Sequence, residues 1–480
     1  MIQSRRGGGQ PRVSVSPLDI HCIAIGGTGM APLACLLKDA GHRVRGSDGP
    51  LYPPMSDLLA AAGISPRVGF DAAHLEPRPD LVVVGNAVRR DNPEAVAAEG
   101  LGIERLSMPQ ALARFFLAGR RALVVAGTHG KTTTTAMAAW VYAACGADPG
   151  YLVGGLPLDL PGSFARGGGA RFIVEGDEYN SAYFDRGAKF LHYQAETLIV
   201  TGVEYDHADL YPRPEALRDA YARLIAQLPP QGLLVACGET PEVRALAHAA
   251  PCPVLLYGGA ASTGLRPLGP PQGGPEGTAF SVRDSESGET VALRLRLVGE
   301  HNVANALAVW AAARNDGLSA AGVAAALAAF RGVRRRQEEV GGQRGVTVVD
   351  DFAHHPTAVG KTLAALRQRY PGRRLVALFE PRSLTAGRSF FFEPYVEAFA
   401  AADRVLFAPL FHASRLADDE RLDLVRLVAR LAQRGVEAAV TASVDALVER
   451  ALAEARRGDV LVTMSSGDFG GAPRRLLAGL

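Results

Sequence analysis

No run of about 18 apolar residues occurs anywhere in the chain, which excludes a membrane-spanning helix. Cysteine is scarce: five residues, at positions 22, 35, 145, 237 and 252, form no C-x-x-C pair and no metal-ligand spacing. Reduced thiols and a cytoplasmic location are therefore expected, and a disulfide framework is excluded. Excess charge of one sign is missing as well. A net charge of +2 over 480 residues gives no general attraction to nucleic acid or to an anionic membrane, so an anionic ligand has to be met by local clusters. Arg5-Arg6 has no apolar stretch behind it, which argues against an export signal. No pattern repeats with a period of about 20 to 50 residues, which excludes a solenoid. Lysine is the rarest of the charged residues, four against forty-seven arginines.

One of those four, Lys131, stands in the most informative stretch of the chain. Ala122-Leu123-Val124-Val125 reads as a buried strand and runs directly into Ala126-Gly127-Thr128-His129-Gly130-Lys131-Thr132-Thr133. A strand that stops at a glycine turn and restarts as a helix aims backbone N–H groups and a helix N-terminus at one point, the geometry that cradles a phosphate. Val125 stands where the usual phosphate-loop pattern has its first glycine. Read by itself, the stretch could also be a glycine-rich turn with a solvated lysine.

Length at about 150 residues per domain predicts three domains, and short apolar strands alternating with helical stretches predict an α/β fold with mainly parallel sheets. The expected layout is a disordered tail over 1–18 and domains over 19–117, 118–331 and 332–480. In the first, the strand His21 to Ile25 leads into Gly26-Gly27-Thr28-Gly29-Met30, which suits a diphosphate or a close strand-to-helix turn; Ala24 replaces the first glycine of G-x-G-x-x-G. Asp48, after a strand His42 to Arg45, suits a ribose or a cap, and 80–86 reads as another buried strand. In the second, residues 258–277 read as surface loop, Thr278 to Val298 as a hairpin around 285–288, and Ala-rich helices run from Val303 to Phe330. In the third, strands are expected at 346–349, 375–379, 405–407 and 460–463.

Other clusters carry chemistry. Val174-Glu175-Gly176-Asp177-Glu178 puts carboxylates at the end of a buried strand, where Glu175 suits magnesium; the alternative is a solvated acidic loop. Glu204-Tyr205-Asp206-His207-Ala208-Asp209 also follows a strand, though imidazole is not the first choice of magnesium. Asn302 and Asn305 lie one helical turn apart, suiting an adenine edge or, for Asn302, a helix cap. Asp350-Asp351-Phe352-Ala353-His354-His355-Pro356 collects acids and histidines on one loop, and Arg334-Arg335-Arg336 meets phosphates or forms a linker.

Together these motifs, in this order from about residue 20 onward, resemble the Mur ligase family of ATP-dependent amide-forming enzymes of peptidoglycan synthesis and recycling. The resemblance implies three domains: a Rossmann-like one for a UDP-sugar, a phosphate-loop ATPase and a Rossmann-like C-terminal domain that closes over both. It implies that Lys131 with Gly127, Thr128, His129, Gly130, Thr132 and Thr133 holds the ATP phosphates. Thr132, Glu175 and His207 would position Mg²⁺. Asn302 and Asn305 would read adenine, Asp351 the ribose, and Arg336 would reach the nucleotide from the domain junction. Gly26, Gly27, Thr28, Gly29, Met30, Ser47, Asp48 and Asn86 would face the UDP-sugar. His354 or His355 would orient or deprotonate an amine, and Arg382 with Ser383 would meet the amino substrate.

Tyr52-Pro53-Pro54-Met55-Ser56, Gly176-Asp177-Glu178-Tyr179, Asp206-His207-Ala208-Asp209 and Glu380-Pro381-Arg382-Ser383 are most similar to family members that join UDP-N-acetylmuramate to L-alanyl-γ-D-glutamyl-meso-diaminopimelate. The alternative is the branch that adds free L-alanine. Gly202 and Asn180 depart from the family's asparagine and aspartate. No lysine lies between Lys189 and Lys361, so the carbamoylated lysine of some relatives has no counterpart there. Partners implied are small molecules, with neither nucleic acid nor membrane, on a monomer or weak homo-oligomer. A nicotinamide dehydrogenase using the Gly26 loop would leave the Lys131 turn without a role, and a regulator that binds ATP without turnover is the remaining rival.

Overall fold

A computed structural model describes residues 16–206, 210–258, 264–284 and 288–480. The chain folds as two compact units, residues up to 111 with 181–186, and 112–180 with 187–480. Most of the expected tail, and His207, lie outside the described residues. Among those described, no helix is long and apolar enough to cross a membrane.

The first unit is built on five parallel strands in the order Arg67–Val68, Arg43–Asp48, Asp19–Ile23, Leu81–Val84, Glu104–Ser107. Its first strand ends two residues before the expected Ile25, because Ala24 turns the chain with φ 60°, the left-handed conformation that glycine usually supplies. The turn geometry of the glycine pattern therefore persists without the glycine. The second strand is longer than expected and runs on to Asp48.

The larger unit carries the two largest sheets. In one, Leu233–Cys237, Thr197–Val200, Arg121–Ala126, Arg171–Gly176 and Gly150–Leu152 run parallel as neighbours. Parallel strands are covered on both faces, which is why they read as unbroken apolar runs such as Leu123-Val124-Val125. Residues 258–277 are not simply loop: Leu265–Pro267 and Gln272–Gly274 pair antiparallel with Gly277–Asp284, extending this sheet. Their Gly and Pro content hides the strands, which are short and near the sheet's end, where few ladder bonds are needed. Gly277–Asp284 and Thr290–Leu295 form the expected hairpin. The other sheet runs Glu338–Gln343, Val346–Asp351, Val460–Met464, Leu375–Phe379, Arg404–Phe407, Glu437–Val440, with only the first strand antiparallel. Three mainly parallel sheets thus account for the α/β architecture. Three of the five cysteines are buried, and burial pushes the Cys22 thiol up to about 12.

Candidate functional site

The strand Arg121–Ala126 ends at a turn whose two glycines cannot be replaced without collision. Gly127 has φ 136°, and a Cβ there would strike Thr201 Oγ1; Gly130 has φ 80°, and a Cβ would lie 2.8 Å from Asn305 Oδ1. The helix Lys131–Ala144 begins immediately after it. Lys131 Nζ donates to Gly127 O at 2.7 Å and to Glu178 Oε2 at 2.8 Å, folding the ammonium back over the turn. Burial by itself would lower the Lys131 pKa, but Glu178 and Asp177 hold it above the ordinary lysine value. A cation fixed over the turn at a helix N-terminus can receive a phosphate in exchange for its carboxylate partner.

Beside it, Thr132 Oγ1 donates to Glu175 Oε1 at 3.0 Å, and Gly154 N donates to Glu175 Oε2 at 2.9 Å. Burial raises the Glu175 pKa, against the pull of Lys131. A hydroxyl and a carboxylate in contact at the phosphate turn form a hard-oxygen donor set, which fits Mg²⁺ with waters completing its shell. Arg336 donates to Thr132 Oγ1 at 3.2 Å and lies 4.7 Å over the Phe352 ring. The Arg336 guanidinium thus stands beside the phosphate turn. Its two neighbours separate: Arg335 pairs with Asp350 at 3.3 Å and binds the Ser465 carbonyl, whereas Arg334 is exposed.

Asn302 and Asn305 share a face as the spacing predicts, with Asn305 Nδ2 donating to Asn302 Oδ1 at 3.4 Å and Asn302 Nδ2 donating to Val298 O at 2.8 Å. Both are buried beside the Gly130 turn. Asp351 is buried too, and its oxygens already accept from Gln337 N and Ala353 N at 2.7 Å each. A ribose would have to share those oxygens, so the aspartate's structural task is to brace the junction.

His355 caps the helix Pro356–Arg369, its Nδ1 accepting from Thr357 N at 3.3 Å, and its ring centroid lies 4.7 Å from that of His129. His354 stays on its own loop, its Nδ1 3.1 Å from Phe352 O. Between His129 and His355 stands Glu204, the first residue of the acidic cluster after the strand Thr197–Val200, where the resemblance pointed to His207 instead. Glu204 is 3.2 Å from His129 Nε2 and accepts from Thr357 Oγ1 at 2.8 Å. Burial would raise its pKa, but hydrogen bonds from His129 and Thr357 bring it down to about 2. Thr357 carried no sequence signal, because its contact spans 153 residues. Glu178 did carry one: it lies three residues after Glu175, beyond the end of the same strand.

Arg382 pairs with Asp468 at 2.9 Å and lies 4.1 Å over the half-exposed Phe411 ring. Ser383 Oγ accepts from Ala386 N at 3.0 Å, so it caps a turn. In the first unit, Asp48 accepts from Gly26 N and Gly49 N at 2.7 Å each and shapes the glycine turn; Gly27, Thr28 and Asn86 are exposed around it. Ser47 is buried and donates to Glu94 at 2.5 Å, and Met30 is buried at the start of its helix.

His301 sets a pH dependence. Burial and then Lys361 push its pKa down to about 4, and its Nε2 lies 3.1 Å from Gln337 Nε2, which requires a neutral, accepting nitrogen. A histidine whose folded pKa is depressed favours the folded state fully above its unfolded value of about 6.5, and that stability is lost as pH falls towards 4. In chemical denaturation at pH 7 and pH 5, His301 should contribute up to about 2 kcal/mol of the fall at the lower pH. His301→Gln should flatten that slope; an unchanged slope would remove His301 as its source.

Comparison with known proteins converges on the same arrangement. Residues 19–120 match the model "Mur ligase family, catalytic domain", 125–313 "Mur ligase middle domain" and 335–467 "Mur ligase, glutamate ligase domain". The chain is 39% identical over 470 residues to an Escherichia coli (strain K12) protein named UDP-N-acetylmuramate:L-alanyl-gamma-D-glutamyl-meso-2,6-diaminoheptandioate ligase, covering 96% of this chain and 98% of that one. It is also 39% identical over 465 residues to a UDP-N-acetylmuramate:L-alanine ligase of Kineococcus radiotolerans, covering 94% and 93%. The crystal structure of a murein peptide ligase from Psychrobacter arcticus 273-4 superposes with a TM-score of 0.71 at 33% identity, covering 96% of this chain and 98% of the other. With three family models matched in succession along the chain and a relative 39% identical over nearly its whole length, the chain belongs to the Mur ligase family.

Proposed function

We propose that this protein is an ATP-dependent ligase that joins the carboxylate of UDP-N-acetylmuramate to the amine of L-alanyl-γ-D-glutamyl-meso-diaminopimelate, in peptidoglycan recycling. The observation that carries the reaction type is Lys131 held over the Gly127–Gly130 turn beside the Thr132–Glu175 pair. The choice of tripeptide rests on the Escherichia coli relative, similar over its full length, and on the strings around Tyr52, Glu178, Asp206 and Arg382.

A carboxylate and an amine form a salt at neutral pH, so amide formation needs activation. The muramate carboxylate attacks the γ-phosphorus of ATP, ADP leaves and an acyl phosphate forms; the peptide amine then attacks the acyl carbon and phosphate departs. Lys131 and the N–H groups of the turn hold the transferring phosphoryl group in line and neutralise its charge. When bound at Thr132 and Glu175, Mg²⁺ supplies further neutralisation of the phosphate oxygens. Asn302 and Asn305 offer their amides to the adenine, and Arg336 approaches the phosphates from the junction. In the first unit, residues 26–29, Asp48 and Asn86 receive the UDP moiety. Arg382 exchanges Asp468 for a peptide carboxylate, and His354 or His355 orients the incoming amine. Domain boundaries at 19–117, 118–331 and 332–480 assign one substrate class to each sheet.

ADP release measured with UDP-N-acetylmuramate should be sustained by the tripeptide and remain near background with free L-alanine. Turnover with L-alanine at a comparable kcat/KM would reassign the enzyme to the alanine-adding branch.

A further inference from the structure

His129, Glu204 and His355 come from three distant segments: the phosphate turn, the stretch after the strand Thr197–Val200, and the start of the helix Pro356–Arg369. Their ligand atoms all lie within 4.8 Å of one another. We propose that these three side chains form a binding site for a zinc-class divalent cation, separate from the magnesium site at Thr132 and Glu175, and that a cation bound there ties the C-terminal segment to the phosphate turn.

The chemistry of the donors selects the metal. Two imidazoles and one carboxylate match a three-ligand zinc site with an open fourth position, whereas magnesium prefers an all-oxygen shell. Bonds of about 2.1 Å in a tetrahedron put neighbouring ligand atoms about 3.4 Å apart. Glu204 Oε2 lies 3.2 Å from His129 Nε2 and 3.9 Å from His355 Nδ1, distances that bracket this edge.

A supporting shell also exists. Thr357 Oγ1 donates to Glu204 Oε2 at 2.8 Å, Thr128 Oγ1 receives Glu204 N at 2.8 Å, and the Phe391 ring meets the His355 ring edge-on at 4.7 Å. Such contacts fix the orientation of ligands. The cation would displace one weak bond, that from Thr357 N to His355 Nδ1 at 3.3 Å.

The test uses the full chain, stripped with a chelator and titrated with Co²⁺, whose tetrahedral complexes absorb strongly in the visible region. The expected result is one equivalent of Co²⁺ producing this absorption, displaced by Zn²⁺ and persisting under excess Mg²⁺. Affinity should fall at least tenfold in His129→Gln and again in His355→Gln, two variants in different segments whose folding is checked by circular dichroism. No tetrahedral absorption, or wild-type affinity retained in both variants, would overturn the site and leave the three residues as a hydrogen-bonded latch. The readout is independent of turnover, so its failure leaves the ligase assignment untouched.

Discussion

Lys131→Met should lower kcat by about a thousandfold or more while the protein still folds. The ammonium is held over the Gly127–Gly130 turn, and removing a preorganised charge that meets a transferring phosphoryl group costs roughly two to five orders of magnitude in related chemistries. The substitution has a second effect. Glu178, only 1% exposed, loses its 2.8 Å partner, and weakening the pairing of a buried charge costs up to about 3–5 kcal/mol. Lys131→Met/Glu178→Gln should recover most of that stability, because the remaining side chain is neutral, yet recover none of the turnover. ADP release and chemical denaturation on the same preparations separate the two effects. Turnover of the single variant within tenfold of wild type would reduce Lys131 to a structural partner of Glu178.

The second large effect is expected in the first unit. Glu94 is fully buried and gathers His21 Nε2 at 2.9 Å, His74 Nδ1 at 2.7 Å, Ser47 Oγ at 2.5 Å and Asp71 N at 3.2 Å. Burial opposes its charge, but these groups, His21 first, hold its pKa below the ordinary carboxylate value. Glu94→Ala would leave four groups without their acceptor, an expected loss of about 3–5 kcal/mol; Glu94→Gln retains part of the network and should lose less. Ser47 adjoins Asp48, which shapes the Gly26 turn, so affinity for UDP-N-acetylmuramate should weaken together with stability. Denaturation midpoints and UDP-sugar titration measure both, and a midpoint shift under about 1 kcal/mol for Glu94→Ala would show that the network is dispensable.

These two sites differ in how far they can be read without the fold. Lys131 announces itself through a buried strand, two glycines and its own rarity, all local. Glu94 gives no local sign: its partners lie 20 to 73 residues away and look like ordinary polar residues of strands and loops. Ser47 shows the same limit from the other side. Its place beside Asp48 pointed to a ligand, but alternation along a strand sends neighbouring side chains to opposite faces, and Ser47 falls on the inner one. Asp351 likewise follows a strand as a ligand-binding residue should, yet its oxygens are taken by Gln337 and Ala353, backbone donors whose approach depends on the junction.

The sequence by itself determined the wound parallel sheets and the phosphate turn, because unbroken apolar runs, glycine geometry and strand ends are properties of short segments. Only the tertiary structure decided that Glu178 faces Lys131, that Glu204 stands between His129 and His355, and that Glu94 anchors the first unit. Each of those contacts joins segments separated by tens to hundreds of residues, and a hydrogen bond leaves no periodic trace in either partner's neighbourhood.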